Sequence, residues 1–243
     1  MPLRIRRTCR PATGPLLLAV LLVLQAGCLP VREVAPGAAA APPVTTEPPA
    51  GYRRYRVVAA ESEVRVLVYR DGPMARLGHN HVLRSQALQG TIDLGDKGQD
   101  PRISLVVPVA SFSVDQAELR QEEGDDFPGV VEETAIAGTR KNMLSEALLD
   151  GARFPEIRLT SRKLAGSAPD YTMTVAVEVK GQTHELLVPV RVEQRTDELR
   201  ATGAFTATHA ELGLAPFTVM GGLLSVRDAI KLRFKIVARP SAT

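Results

Sequence analysis

The sequence predicts an all-β protein, an eight-stranded antiparallel up-and-down barrel with one inserted helix. Residues 171–208 carry three consecutive runs of alternating apolar and polar residues, the pattern of half-buried strands. Short turns at 181–182 and 196–197 join these runs, which makes neighbouring strands antiparallel. A further set of short strands flanks this meander, and closing them into a barrel removes the exposed sheet edges.

The turns also predict a strand register. Centring the first turn on residues 181–182 places Val179 opposite His184. The second turn places Val192 opposite Ala201 and His184 opposite His209. Each alignment brings an apolar face against an apolar face, and a slip of one residue would turn every side chain over.

Residues 1–28 have the pattern of an export signal. An arginine-rich start precedes an apolar run at 15–24, which is shorter than the roughly 20 residues that a membrane span needs. Small residues before Cys28 then match a bacterial lipoprotein cleavage site, with Gln25 where that motif prefers Leu. We therefore expect lipidation of Cys28 and a membrane anchor. The alternative is an ordinary secretory signal that is cut near 37–41.

Composition agrees with export and bounds the partners. The other cysteine, Cys9, lies within the signal, so the mature chain has no pair for a disulfide. The formal net charge of +3 depends on four leader arginines, without which 26 basic residues face 27 acidic ones. Nucleic acid is therefore not an expected partner. We expect a periplasmic or cell-envelope location, in the outer membrane where the cell has one. The sequence sets no oligomeric state.

Element by element, a Pro- and Ala-rich linker at 29–51 precedes a barrel domain at 52–240. Strands are predicted from alternation or apolar runs, and an acidic, weakly patterned stretch is interpreted as a surface excursion. The predicted elements are strands at 64–69, 82–94, 103–109, 157–161 and 224–238 beside the meander, the excursion at 115–138, a helix at 139–149 and a loop at 210–222.

The order and spacing of several short pieces resemble the YceI-like family of exported bacterial proteins. These pieces are residues 62–66, 90–92, 143–157, 179–183 and 205–213. The resemblance implies a lipocalin-like barrel that holds an isoprenoid or another long apolar chain, and therefore binding and not catalysis. Residues 78–81 (Gly-His-Asn-His), with His184 and His209, depart from the commoner members of that family.

The ligand-binding residues expected from this interpretation are inward-facing apolar side chains on the strands, with histidines to hold a polar head at the barrel mouth. Burying each CH₂ of a ligand is worth roughly 0.8 kcal/mol. The sequence leaves open whether these side chains surround a cavity or fill the core. The set comprises Val64, Val66, Met173, Val175, Val188, Phe205, Ile230, Leu232, Phe234, His184 and His209.

The four histidines also suggest a metal or haem site, the alternative function being envelope redox chemistry. His79 and His81 are two residues apart, the spacing that puts two ligands on one side of a strand, and the predicted register brings His184 beside His209. Extending the 82–94 strand backwards, however, places His79 and His81 on its outer face. Polar lining of a pocket and capping of a turn are the simpler interpretations.

No catalytic motif stands out. The chain has no Gly-x-Ser-x-Gly sequence, and it has no phosphate-binding glycine loop. The acidic run at 118–126 lacks the ligand spacing of a calcium loop. We therefore predict that the protein is not an enzyme.

Overall fold

A computed structural model describes residues 47–96 and 99–241, all of which lie in one compact unit. The predicted export signal, the Cys28 lipidation site and most of the linker lie outside the described residues. Neither α-helix in the described ranges is long and apolar enough to cross a bilayer.

Strands dominate the described residues, as the alternating pattern predicts, and two short helices interrupt them. The strands are β1 (Tyr52–Val57), β2 (Glu63–Asp71), β3 (His81–Ser85), β4 (Gln89–Gly95), β5 (Arg102–Pro108), β6 (Ser113–Val114), β7 (Glu156–Ser167), β8 (Asp170–Val179), β9 (Gln182–Gln194), β10 (Leu199–Thr208), β11 (Thr218–Val219) and β12 (Leu224–Pro240). The helices are α1 (Ala117–Glu123) and α2 (Glu133–Leu144).

Eight antiparallel strands close into a barrel, which confirms the predicted fold class. The ring runs β1-β4-β5-β7-β8-β9-β10-β12, and β12 returns to β1. β12 is 17 residues long and pairs with β10 along one edge. Its other edge is shared, since β2 pairs with its first part and β1 with its last residues. From β2 the sheet continues through β3 to β6.

The single long strand predicted at 82–94 is wrong. β3 pairs with β2, whereas β4 pairs with β1 and β5. Because β12 divides its edge between β1 and β2, the chain after β3 has to change partners. It does so at 86–88, where Leu88 is fully buried. β1 itself is not among the predicted strands.

The predicted helix at 139–149 is displaced, and the predicted excursion is partly helical. α1 lies within 115–138, and α2 begins at Glu133 and ends at Leu144. Past that end the chain turns, with Leu149 N–H donating to Met143 O at 3.2 Å and Asp150 N–H to Ser145 O at 2.8 Å. Met143 is the buried residue of α2, so the apolar pattern that signals this helix is short.

The predicted register is wrong for one hairpin and confirmed for the other. Between β8 and β9 the turn residues are Lys180 and Gly181, so Val179 faces Gln182 and His184 faces Val177. Both turn residues have positive φ, as a type I′ turn requires. The error is two residues, which leaves every side chain on its predicted face. Between β9 and β10, Val192 pairs with Ala201 as predicted, but this pairing ends at Thr202 and Arg191 and does not reach His184 and His209.

A buried ion pair joins β1 to β4. Arg54 and Asp93 are cross-strand partners, and the guanidinium meets the carboxylate with two contacts of 2.7 Å each. The exposed fraction of both side chains is below a tenth. The hydrogen bond and charge of Asp93 raise the pKa of Arg54 above its ordinary value.

Candidate functional site

The barrel encloses a cavity of about 930 Å³. Inward-facing side chains of the ring strands line it, together with residues of β2, β3 and α2. The lining is mainly Val, Leu and Ile, and the interior is therefore not a filled core. This volume lies within the range of roughly 300–1,000 Å³ typical of small-molecule sites.

All but one of the predicted ligand-binding residues line this cavity. His184 is the exception. The residues at the wall are Val64, Val66, Met173, Val175, Val188, Phe205, Ile230, Leu232, Phe234 and His209.

One end of the cavity lies between two loops, residues 72–80 and residues 209–223. Met74 N–H donates to Leu223 O at 2.9 Å, which ties the loops together. Gly72 makes the close approach feasible, because a Cβ there would lie 2.7 Å from Leu223 O and its φ is +90°. We call this end, formed by the two loops, the mouth.

The mouth carries a cluster of two imidazoles and a buried carboxylate. His79 and His81 both line the cavity, and their ring centroids are 4.5 Å apart. The Nδ1 atom of His81 is 2.7 Å from Asp115 Oδ2. The Nε2 atom of His79 is 3.8 Å from the same oxygen, is itself buried and has no hydrogen-bond partner. The outward orientation expected for these histidines on a continuous strand is therefore wrong, because His79 precedes β3 and both reach the cavity.

The other carboxylate oxygen of Asp115, Oδ1, accepts two hydrogen bonds. The Val82 amide donates to Oδ1 at 2.9 Å, and Arg120 Nη1 donates to Oδ1 at 2.8 Å. Arg120 is only 1% exposed and also donates to the carbonyl oxygens of Asn80, Pro128 and Gly129. One buried cation thus fixes both the carboxylate and the backbone between the two histidines.

These contacts set the charge of the cluster. Burial alone would raise the pKa of Asp115, but the His81 hydrogen bond and charge, the Val82 amide and Arg120 together hold it below its ordinary value. Burial lowers the pKa of His79, and His81 lowers it further against the opposing effect of Asp115. At neutral pH the carboxylate is therefore ionised and the His79 imidazole is neutral.

The other two histidines are not part of this cluster. Among the described residues, the one group of three or more metal-ligating side chains comprises His79, His81 and Asp115. His209 is buried, and its Nδ1 atom lies 2.8 Å from Asp228 O. His184 has a buried Nε2 atom without a hydrogen-bond partner and lies against Gly213. The structure thus assembles half of the predicted histidine set.

A family profile described as "YceI-like domain" matches residues 55–238. The chain belongs to the YceI-like family. The match covers most of the barrel, from β1 to β12, and confirms the resemblance drawn from the sequence.

Two solved structures are similar to this chain, and the first of them shares its fold. BcnA of Burkholderia cenocepacia is 16% identical with a TM-score of 0.52, over 77% of this chain and 99% of that one. A Campylobacter jejuni YceI protein is 10% identical with a TM-score of 0.46, over 64% of this chain and 82% of that one. A comparison with curated proteins gives no match.

Sequence reasoning missed Asp115 and Arg120. Asp115 follows β6 and has a positive φ of 50°, in a stretch interpreted as solvated surface. Its partner His81 lies 34 residues earlier, and the Arg120 contact to Asn80 spans 40 residues. The Gly-His-Asn-His motif signals two of the three members of the cluster, and no local pattern signals the carboxylate.

Proposed function

We propose that this YceI-like protein binds a lipid and holds its long apolar chain, isoprenoid or fatty acyl, inside the barrel, by binding and not by catalysis. The observation that carries the proposal is the aliphatic cavity of about 930 Å³. Membership of the YceI-like family supports it, since that family consists of barrels that bind hydrophobic ligands.

The wall of the cavity supplies the affinity. Side chains such as Val175, Val188 and Leu186 are buried and face the cavity, so a chain of CH₂ groups there leaves water completely. Each CH₂ contributes roughly 0.8 kcal/mol. Atoms that line an empty space have no partners on that side, and the chain restores those dispersion contacts.

The mouth is the end at which the lipid enters. Four of the six strongly exposed large apolar residues in the described ranges lie on its two loops: Leu77, Val219, Met220 and Leu223. Leu77 and Val219 also line the cavity, so the exposed apolar surface is continuous with the interior. Exposed apolar side chains grouped at one opening are typical of an interaction surface, which here suits the acyl layer of a membrane. His79, His81 and Arg70 at the same end supply polar groups for a lipid head.

We further propose that the protein works in the cell envelope, anchored through a lipid on Cys28. The export pattern of residues 1–28 supports this location. Membrane fractionation tests it: the chain is expected in the membrane fraction, and the Cys28→Ser variant in the soluble periplasmic fraction. Equal recovery of both in the soluble fraction would overturn the anchor.

Native mass spectrometry tests the lipid proposal. The full-length chain with Cys28→Ser would be exported into the periplasm of a bacterial host and purified without detergent. We expect a bound mass of several hundred daltons that organic solvent extracts, and the extract would identify the lipid class. A bare polypeptide mass, together with no uptake of geranylgeraniol or oleate when these are added, would overturn the proposal.

A further inference from the structure

We propose that His79, His81 and Asp115 bind one divalent transition-metal ion at the mouth of the cavity. Ligand atoms of these three side chains all lie within 4.8 Å of one another. They include a buried imidazole nitrogen, Nε2 of His79, that has no hydrogen-bond partner. An unpaired buried polar atom is costly, and a bound ion would satisfy it.

The distances suit a tetrahedral ion. Metal–ligand bonds of about 2.0–2.2 Å at tetrahedral angles put neighbouring donor atoms about 3.3–3.5 Å apart. The observed separations from Asp115 Oδ2 fall on either side of this value, at 2.7 Å to His81 Nδ1 and 3.8 Å to His79 Nε2. Both separations lie within about 0.7 Å of this value, and the ion would replace the hydrogen bond between His81 and Asp115. His79 is free to adjust, since a third of its side chain is exposed.

Neighbouring residues already hold the proposed ligands in position through hydrogen bonds. Arg120 and the Val82 amide occupy Oδ1 of Asp115, which leaves Oδ2 for the ion. Asn80 fixes the backbone between the histidines, because its Oδ1 accepts from the Arg70 amide at 2.9 Å and its Nδ2 donates to Asp126 O at 2.7 Å. Such outer contacts orient the ligands and raise metal affinity.

The donor set selects the class of metal. Two imidazoles and one carboxylate suit Zn²⁺, Fe²⁺ or Co²⁺, whereas Mg²⁺ and Ca²⁺ prefer oxygen ligands alone. Arg120 offsets the carboxylate charge, which further disfavours a hard cation that depends on anionic oxygens.

Three protein ligands leave a tetrahedral ion one open position. His79 and His81 line the cavity, so this open position faces the cavity. An oxygen from the head of the bound lipid, such as a phosphate or carboxylate, would complete the coordination. Only this last step rests on the proposed lipid-binding function, and the metal site itself does not.

Calorimetric titration with Zn²⁺ tests the site. The full-length chain with Cys28→Ser would be exported, purified through a tag without histidine and stripped with a chelator. We expect one Zn²⁺ per chain, and at least a 100-fold loss of affinity in His79→Ala, since losing even an outer-shell partner costs 10–100-fold. His184→Ala is the matched control, because it also removes a histidine with an unpartnered Nε2 but lies outside the cluster. It should bind Zn²⁺ like the unmodified chain.

Asp115→Asn provides a second variant, because the amide keeps an oxygen for Val82 and Arg120 while removing the charged ligand. Circular dichroism confirms that each variant is folded. Co²⁺ in place of Zn²⁺ should give a visible absorption spectrum that both His79→Ala and Asp115→Asn lose. Absence of stoichiometric Zn²⁺ binding by the unmodified site, or equal loss in His184→Ala, would overturn the metal site. Lipid retention by metal-free protein is scored separately, so either proposal can fail while the other stands.

Discussion

Replacing Val188 with phenylalanine should fill part of the cavity without destabilising the barrel. Val188 lies on β9, is buried and faces the cavity of about 930 Å³. Inserting extra carbons into a close-packed core typically costs 1–3 kcal/mol of unfolding free energy. Here the added ring has empty space to occupy, so we expect the unfolding free energy to stay within about 1 kcal/mol of the parent value.

The same substitution should weaken lipid binding. Phenylalanine adds about four carbon atoms that displace about four methylene groups of the ligand, and at roughly 0.8 kcal/mol each this amounts to about 3 kcal/mol. A tenfold change corresponds to 1.4 kcal/mol, so the affinity should fall by about 200-fold. Competition of geranylgeraniol with fluorescent cis-parinaric acid measures the affinity, and urea unfolding measures the stability.

Leu187→Phe is the matched control, since Leu187 directly precedes Val188 in β9 and is 70% exposed on the outer face. It should leave both quantities unchanged. A loss of 2–3 kcal/mol of stability in Val188→Phe with unchanged probe affinity would refute the reasoning, because it would mean that the interior is packed and the lipid binds elsewhere.

Three further substitutions test other parts of the structure. Asp93→Ala leaves the Arg54 guanidinium without its cross-strand carboxylate and should cost about 2–3 kcal/mol, seen as a lower urea midpoint with an unchanged slope. Gly90→Ala places a Cβ 2.1 Å from Ser104 O at a φ of +133° and should cost about 3 kcal/mol, so a midpoint equal to the parent's would contradict the tight β4–β5 approach. Met220→Asp, at an exposed residue of the mouth that does not line the cavity, should slow transfer of cis-parinaric acid from phospholipid vesicles about tenfold while leaving its equilibrium affinity within twofold. Unchanged transfer kinetics would place lipid access away from the mouth.

The alternation of apolar and polar residues predicted the facing of side chains correctly, whereas the turn sequence between β8 and β9 predicted the wrong strand register. The register between β8 and β9 is wrong by two residues, because Lys180 adopts the left-handed conformation expected of Gly or Asn, and so the turn begins one residue early. An error of two preserves which face each residue occupies. The inward-facing residues were therefore identified correctly although their cross-strand partners were not.

The cluster at the mouth could not be predicted in the same way. Asp115 reaches His81 because β6 pairs with β3, and a strand of two residues has no periodicity to detect. Arg120 is buried on a seven-residue helix, where a charged residue is ordinarily solvated. Local sequence predicts faces and turns, whereas this cluster depends on which distant elements close over one another.

The cavity itself follows from the size of the inward-facing side chains. An eight-stranded barrel is just wide enough for its interior to be filled by side chains or to hold one small ligand. In this chain the inward positions of β8 and β9 are mostly valine, with Val175 and Val177 on β8 and Val188 and Val190 on β9. The chain contains no tryptophan, and these β-branched side chains are short and stiff. They cover the wall but do not reach across the ring. A larger side chain at one such position should therefore lower the ligand affinity more than it lowers the free energy of unfolding.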